Sequence, residues 1–231
     1  MNNNVIHNRE KAHHEGMGEF VWLSDDSIRE VISRAPSITG KDILELCSGS
    51  GTFTCKMPHT FRSYICLDLS RSLLNTLKSK LPSTKIVQGD AEQPPFADAS
   101  FDIVAVFAGL HHIPNLDNAV KNAYRLLRID GQFVCFEPNS DCWYRRFMLP
   151  LKHFLGIKYT EDERFLRPRN IQQILDQHGF INVKCLFVTP NYRKEKLSIL
   201  TLILAHIMKL AASVSSSSTW QSFFIMSGVK G

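Results

Sequence analysis

The sequence predicts an α/β protein with a doubly wound sheet. Three observations carry this reading. Short apolar runs alternate with amphipathic helical stretches along most of the chain. One run, Phe101 to Leu110, is almost continuously apolar, as expected of a central parallel strand covered on both faces. Acids stand near the ends of successive runs, and open doubly wound sheets bind ligands at the carboxyl ends of their strands.

The elements follow in order. Residues 1–20 are polar and carry His7, His13 and His14, too few ligands for a metal site, so this stretch reads as an arm. Phe20 and Trp22 stand just before a helix, where aromatics either close over a substrate or pack on the core. Ser24 caps a helix through Arg34, with Asp25 and Asp26 favourable in its first turn. Asp42 to Leu46 is a buried strand that breaks into CSGSG. Gly49 and Gly51 stand where backbone must approach a ligand closely, and such a loop aims N–H groups at an anionic or polar group. Pro58 keeps the next helix short.

Ser63 to Ser70 forms the second strand with Asp68 at its end. Ser70 caps a helix to about Lys80, with Leu73, Leu74, Leu77 and Leu81 as its apolar stripe. Lys85 to Asp90 is the third strand, QPPFADAS a loop, and Phe101 to Leu110 the fourth strand. Leu116 to Arg128 is a helix, Asp130-Gly131 a turn, and Gly131 to Pro138 the fifth strand. Residues 139–169, rich in aromatic and basic side chains, read as a helical insertion. Pro168 opens a helix to about His178, stopped by Gly179. Ile181 to Pro190 is a strand, Leu197 to Ala212 an apolar helix, and the last twelve residues a final strand. An antiparallel last strand beside the fifth fits this order. Nothing repeats at a fixed period.

Composition narrows the function. The 231 residues are 44% hydrophobic and 21% charged, enough for one domain with a sizeable core. The domain reads as 1–231, with 1–36 as arm and first helix and 139–169 as a helical insertion. A net charge of +5 is too weak to point to nucleic acid, while an acidic substrate or a weak membrane-surface contact fits it. The six cysteines are scattered with no CxxC, which gives neither a zinc site nor a disulfide framework; a reduced, cytoplasmic setting fits. No leftover carboxylate cluster invites a cation, so no metal is expected.

The strand-end acids and glycines describe one ligand. A carboxylate at Asp68 can accept from both hydroxyls of a ribose. Asp90 can accept from an exocyclic adenine amine while the Ala91 N–H meets a ring nitrogen. The glycine loop would cradle the remaining polar end. A single such acid can equally be a helix cap; the ordered set argues for an adenosine-bearing ligand. Dinucleotide binding of the GxGxxG type wants a third glycine, and Thr52, Phe53 and Thr54 follow instead.

The segments ILELCSGSGTFT, CLDLS, VQGDAEQPPFADASFDIVAVFAGLHHIPN and RLLRIDGQFVCFEP resemble the class I S-adenosylmethionine-dependent methyltransferases, small-molecule branch, with the quinone-biosynthesis enzymes the closest likeness. The resemblance covers about residues 40–138. It implies a seven-stranded sheet of order 3-2-1-4-5-7-6 with strand seven antiparallel and helical lid insertions. It implies that Glu45, Cys47, Gly49 and Gly51 hold the methionine part of the donor, Asp68 the ribose with Leu69 against the adenine, and Asp90 and Ala91 the adenine. Phe107, Ala108 and His111 would line the sulfonium end. The family usually has glycine where this chain has Cys47.

Methyl transfer to oxygen needs a base, and His111 and His112 after strand four are placed for it, with Glu137 at the end of strand five as another candidate. Trp143, Tyr144 and Phe147 are candidates for an apolar acceptor pocket, and Arg145 with its basic neighbours for an acid group on the acceptor. Each of these side chains can equally belong to a solvated face. The expected reaction is methylation of a small organic acceptor, an oxygen being favoured on the histidine pair, with carbon or nitrogen as the alternative. A donor-binding but inactive scaffold subunit is the reading from another class. The apolar helix 197–212 fits an acceptor wall, a membrane interface or a homodimer face.

Overall fold

In a computed structural model, residues 23–143, 146, 166–189, 191, 206–207, 210–211, 219 and 221–231 are described. The elements are α1 (Asp25–Arg34), β1 (Asp42–Leu46), β2 (Ser63–Asp68), α2 (Arg71–Lys80), β3 (Lys85–Gln88), β4 (Phe101–Phe107), α3 (Leu116–Leu126), β5 (Leu127–Pro138), α4 (Pro168–Gln177), β6 (Phe180–Val188) and β7 (Phe223–Lys230). Two single 3-10 turns, Thr54–Lys56 and Leu110–His112, follow β1 and β4. The sheet runs β3-β2-β1-β4-β5-β7-β6, as expected. The β1–β5 pairings are parallel; β7 is antiparallel to both β5 and β6. The chain reverses direction beside β1 and β4, so their carboxyl ends form the crevice in which such sheets bind ligands.

Alternation along the strands builds two cores. Leu44, Leu46, Leu67, Val104, Val106, Phe133 and Cys135 face α3 and α4. Ile43, Tyr64, Cys66, Ile103, Ala105, Phe107, Val134 and Phe136 face the other layer, with α1. Period-two alternation with both faces covered explains why these strands read as nearly unbroken apolar runs. Helix starts follow their sequence signals. Ser24 accepts from the Ser27 N–H, Ser70 from Leu73 and Asn115 from Asn118, each satisfying an orphan donor of the first turn.

Several boundaries differ from the sequence expectation. β2 stops at Asp68, β3 at Gln88 and β4 at Phe107, because the chain turns into the crevice loops there. Helix α3 ends at Leu126 rather than Arg128. The expected Asp130-Gly131 turn lies inside β5 as a bulge: Leu127 pairs with Phe101, but the next pair is Gln132 with Ile103. Asp130 takes a left-handed φ of 61°, and a Cβ on Gly131 would stand 2.7 Å from the Arg128 carbonyl oxygen, so the turn residues fold back within the strand.

The 139–169 insertion leaves and re-enters the core at one place. Ser140 donates its N–H to the Leu166 carbonyl (3.1 Å), and Arg167 lies 3.5 Å from Asp141. Asn139 is fully buried; its N–H donates to the Ser222 carbonyl and its side-chain amide to the Gln221 carbonyl. Most of the apolar stretch 197–212 and the whole polar arm, with His7, His13 and His14, lie outside the described residues.

Candidate functional site

The loop after β1 is the floor of the crevice. Gly49 has φ 54°, with nothing within 4 Å of where a Cβ would stand, so its backbone faces open space. Gly51, at φ 81°, lies against α2: a Cβ there would fall 2.3 Å from Leu77 Cδ1. Each glycine thus has its own reason, a left-handed turn at both positions and a close helix approach at the second. Cys47 also takes a left-handed φ, 56°, a conformation that costs an L-residue about 1–2 kcal/mol. Its Cβ is tolerated because the next strand's loop has none: a Cβ on Gly109 would lie 2.4 Å from Cys47 Cβ.

Four carboxylates lie near enough to this floor to act on Cys47. Burial first, then the nearby Asp68, Glu137, Asp90 and Glu45, push the Cys47 thiol well above its usual range, so it is protonated and not a thiolate nucleophile. Asp68 is buried and ties the loop to β2: the Gly49 N–H donates to Oδ2 (2.7 Å) and the Ser70 N–H to Oδ1 (2.8 Å). Asp90 stands two residues beyond β3 and accepts from the Glu92 N–H (2.9 Å), as a turn residue does. Ala91 is buried; Leu69 is half-buried, and its carbonyl accepts from Gln88.

Glu45 turns away from the loop into the second core. Thr54 (2.6 Å) and Tyr64 (2.7 Å) both donate hydroxyls to its Oε2. Desolvation is the largest influence and raises its carboxyl to about 7, against the opposing pull of these two donors.

Glu137 and His111 form a buried pair. One carboxylate oxygen, Oε1, accepts the N–H groups of Gly109 (2.9 Å) and Leu110 (2.7 Å); the other lies 2.7 Å from His111 Nδ1. An ionised carboxylate only accepts, so Nδ1 is the donor in this pair. Glu137 thus anchors the β4 loop and orients a histidine. His112 packs its ring 4.0 Å from that of His111. Phe107 stacks on Phe53 at 4.8 Å, and Ala108, at φ 59°, donates its N–H to the Phe136 carbonyl.

Sequence reasoning missed three things. Thr54 and Tyr64, the partners of Glu45, carry no local signal because 9 and 19 residues separate them from it. Phe53 joins Phe107, Phe136 and Phe223 into a run of ring contacts under the crevice. Arg125, on α3, clamps the loop beside Asp90 and Ala91 through the carbonyls of Phe96 and Pro94 and the Asp98 carboxylate. Trp143 is half-buried just past Cys142. Phe20, Trp22, Tyr144, Arg145 and Phe147 lie outside the described residues.

Comparison with known proteins fits this arrangement. A family model described as a methyltransferase domain matches residues 44–135. An uncharacterised methyltransferase of Synechocystis is 30% identical over 148 residues, covering 63% of this chain and 69% of that one. The chain belongs to the S-adenosylmethionine-dependent methyltransferases.

Other methyltransferases match as well. A ubiquinone/menaquinone biosynthesis C-methyltransferase of Rickettsia prowazekii is 32% identical over 47% of this chain, which spans only about half, 48%, of that relative. A demethylmenaquinone methyltransferase of Lactococcus lactis is 27% identical over 67% of this chain and 71% of its own length. The methyltransferase fold recurs in an S-adenosylmethionine-dependent methyltransferase of Mesorhizobium loti (TM-score 0.61, 14% identity, 87% of this chain and 96% of that one). It recurs in Haemonchus contortus phosphoethanolamine N-methyltransferase 2 (0.63, 17%, 89% and 52%). Among the described residues no group of three or more His, Cys, Asp or Glu is arranged to hold a metal ion, and no helix is long and apolar enough to cross a membrane.

The methyltransferase donor set fits the residues present. Gly49 leaves room for a close ligand, and the carboxylates near Cys47 suit a donor carrying a sulfonium and an ammonium.

Proposed function

We propose that this methyltransferase acts on a small apolar acceptor bearing an ionisable hydroxyl, and that His111 removes the hydroxyl proton. The observation that carries the reading is the buried Glu137–His111 pair, in which a carboxylate holds and orients an imidazole beside the end of β4. Bound S-adenosylmethionine supplies an electrophilic methyl group on a positively charged sulfur. Asp68 holds the ribose hydroxyls, Asp90 and the Ala91 N–H the adenine edge, Leu69 its face, and the 47–51 loop the methionine end. Glu45, Cys47, Gly49 and Gly51 shape that end, and Phe107 and Ala108 set the backbone beside the sulfur.

His111 takes the proton from the acceptor, the freed electron pair bonds the methyl carbon, and the carbon–sulfur bond electrons stay on sulfur. Positioning supplies up to ~7–11 kcal/mol in such displacements, and a placed base typically 10²–10⁴-fold in rate. On an aromatic hydroxyl the same deprotonation charges both the oxygen and the conjugated ring carbons. The Rickettsia relative is named a C-methyltransferase, which favours carbon; the histidine pair alone fits oxygen equally. The aromatic and basic sequence from Trp143 to Phe147, with Arg145, supports an acceptor of apolar body and acidic substituent. Phe20 and Trp22 belong to the same acceptor side in this reading. Weak membrane-surface contact or homodimer formation through the apolar 197–212 stretch accords with its composition.

The experiment is turnover of a phenolic acceptor with isotopically labelled methyl donor, analysed by NMR of the product. Label on a ring carbon or on oxygen decides the acceptor atom. Turnover undiminished in both His111→Ala and His112→Ala removes the base.

A further inference from the structure

Opposite the crevice, at the amino ends of β2 and β3, the protein holds a second cavity of about 210 Å³. That exceeds the ~150 Å³ that encloses one benzene ring. Its apolar walls are Met57, Phe61, Tyr64 and Leu81, all members of or packed against the second core. Phe61 and Tyr64 present tilted rings with centroids 5.2 Å apart, and the His59 ring lies 5.8 Å from Phe61. The polar lining is Ser63, Ser83, Thr84, Thr54, Arg62 and Lys85, with no acid among the lining residues. Arg62 is engaged by Asp42 and Asp102 at the rim. Lys85 is exposed and forms no ion pair with any described residue, so its ammonium is available to a ligand.

An aromatic-walled hollow with a cation and hydroxyls at its mouth selects a flat apolar body carrying one negative group. Its inner wall has a second property. Two of its lining residues, Thr54 and Tyr64, are the two whose hydroxyls donate to Glu45 Oε2. Glu45 therefore lies one hydrogen bond behind the cavity and two residues before Cys47, at the start of the donor loop.

We propose that this cavity is a binding site for a small aromatic carboxylate, and that its occupancy is communicated to the donor loop through Tyr64, Thr54 and Glu45. A ligand that draws the Tyr64 hydroxyl to itself strips Glu45 of one of its two donors. By linkage the donor site then binds differently, and donor binding alters the cavity's affinity by the same factor.

Benzoate is the probe, measured by calorimetry on the full chain in the absence of any acceptor. The wild type is expected to take up one benzoate. Ser83→Trp, which fills the exposed mouth, and Lys85→Glu, which reverses the ammonium, are each expected to weaken uptake about tenfold or more. Both positions are exposed, so both variants are expected to fold, and a circular dichroism spectrum checks that they do. Both are also expected to keep wild-type affinity for S-adenosylhomocysteine, which separates this site from the crevice. Saturating benzoate is expected to change S-adenosylhomocysteine affinity about fivefold in the wild type, and not in Ser83→Trp or Tyr64→Phe. Absence of benzoate heat, or uptake unchanged in Ser83→Trp and Lys85→Glu, overturns the site. Cavity-dependent uptake with unaltered donor affinity overturns the communication.

Discussion

Cys47 and Gly109 are a steric pair: a Cβ on Gly109 would lie 2.4 Å from the Cβ of Cys47. The glycine at 109 is required by space and not by backbone angle, since its φ is −128°, which any residue adopts. The side chain at 47 and the lack of one at 109 are therefore coupled. Gly109→Ala is expected to destabilise by about 1–3 kcal/mol, as overpacking does. In a Cys47→Gly background the same change is expected to cost markedly less. Denaturant unfolding of the four proteins of this cycle checks it; additive costs would mean the two loops relax independently.

Glu45 sets a pH dependence of stability. Its folded carboxyl is raised to about 7, above the ~4.5 of an unfolded glutamate, so the folded state holds an extra proton between these values. Stability is then expected to fall as pH rises from 4.5 to 7, by on the order of 3 kcal/mol in full, and to stay reduced above 7. Glu45→Gln keeps an oxygen for Thr54 and Tyr64 and is expected to flatten this slope. Melting temperature against pH for both proteins is the measurement.

At lower pH an opposite trend sets in. The Arg62 guanidinium beside Asp42 holds that carboxyl below its usual range. Asp102 is likewise depressed by the Asp42 N–H and Arg128, against its own burial. Depressed carboxylates stabilise above their unfolded values and lose that contribution as pH falls through them. Asp102→Asn is expected to make the protein less sensitive to acid below about pH 4 while lowering its stability at neutral pH.

Much of this was legible in sequence because the signals are local. Ser24, Ser70 and Asn115 cap helices as hydroxyl and amide residues before apolar stripes do. β1 and α2 begin and end where their residues say. The strand order came from the family resemblance rather than from periodicity, since apolar runs do not state their neighbours. What sequence could not show were side chains that meet across the sheet. Glu137 reads as a strand-end acid, yet it lies 2.7 Å from a histidine 26 residues earlier and holds two loop N–H groups. Arg125 reads as an ordinary helix arginine. Asp130-Gly131 reads as a free turn because a bulge inside a strand has the same turn chemistry.

Arg125 supports the loop beside Asp90 and Ala91 through Phe96, Pro94 and Asp98. Removing its bonds to Pro94, Phe96 and Asp98 in Arg125→Met is expected to cost about 2 kcal/mol of stability. The variant is also expected to bind S-adenosylhomocysteine about tenfold more weakly. Calorimetry separates this from a base defect, which would leave donor affinity intact.

The Glu137–His111 pair makes the sharpest kinetic claim. His111→Gln is expected to lower kcat by 10² or more with donor affinity unchanged. Glu137→Gln presents an amide to Nδ1, disturbs the tautomer, and is expected to lower kcat comparably. It also loses about 1–3 kcal/mol of stability, because the Gly109 and Leu110 N–H groups depend on the same side chain. Single-turnover rates with saturating donor check both.

The most direct test is a crystal structure with S-adenosylhomocysteine bound. The account predicts ribose hydroxyls within hydrogen-bonding distance of Asp68, the adenine edge at Asp90 and Ala91, and the sulfur facing His111. A nucleoside seated elsewhere, with its sugar away from Asp68, would contradict it.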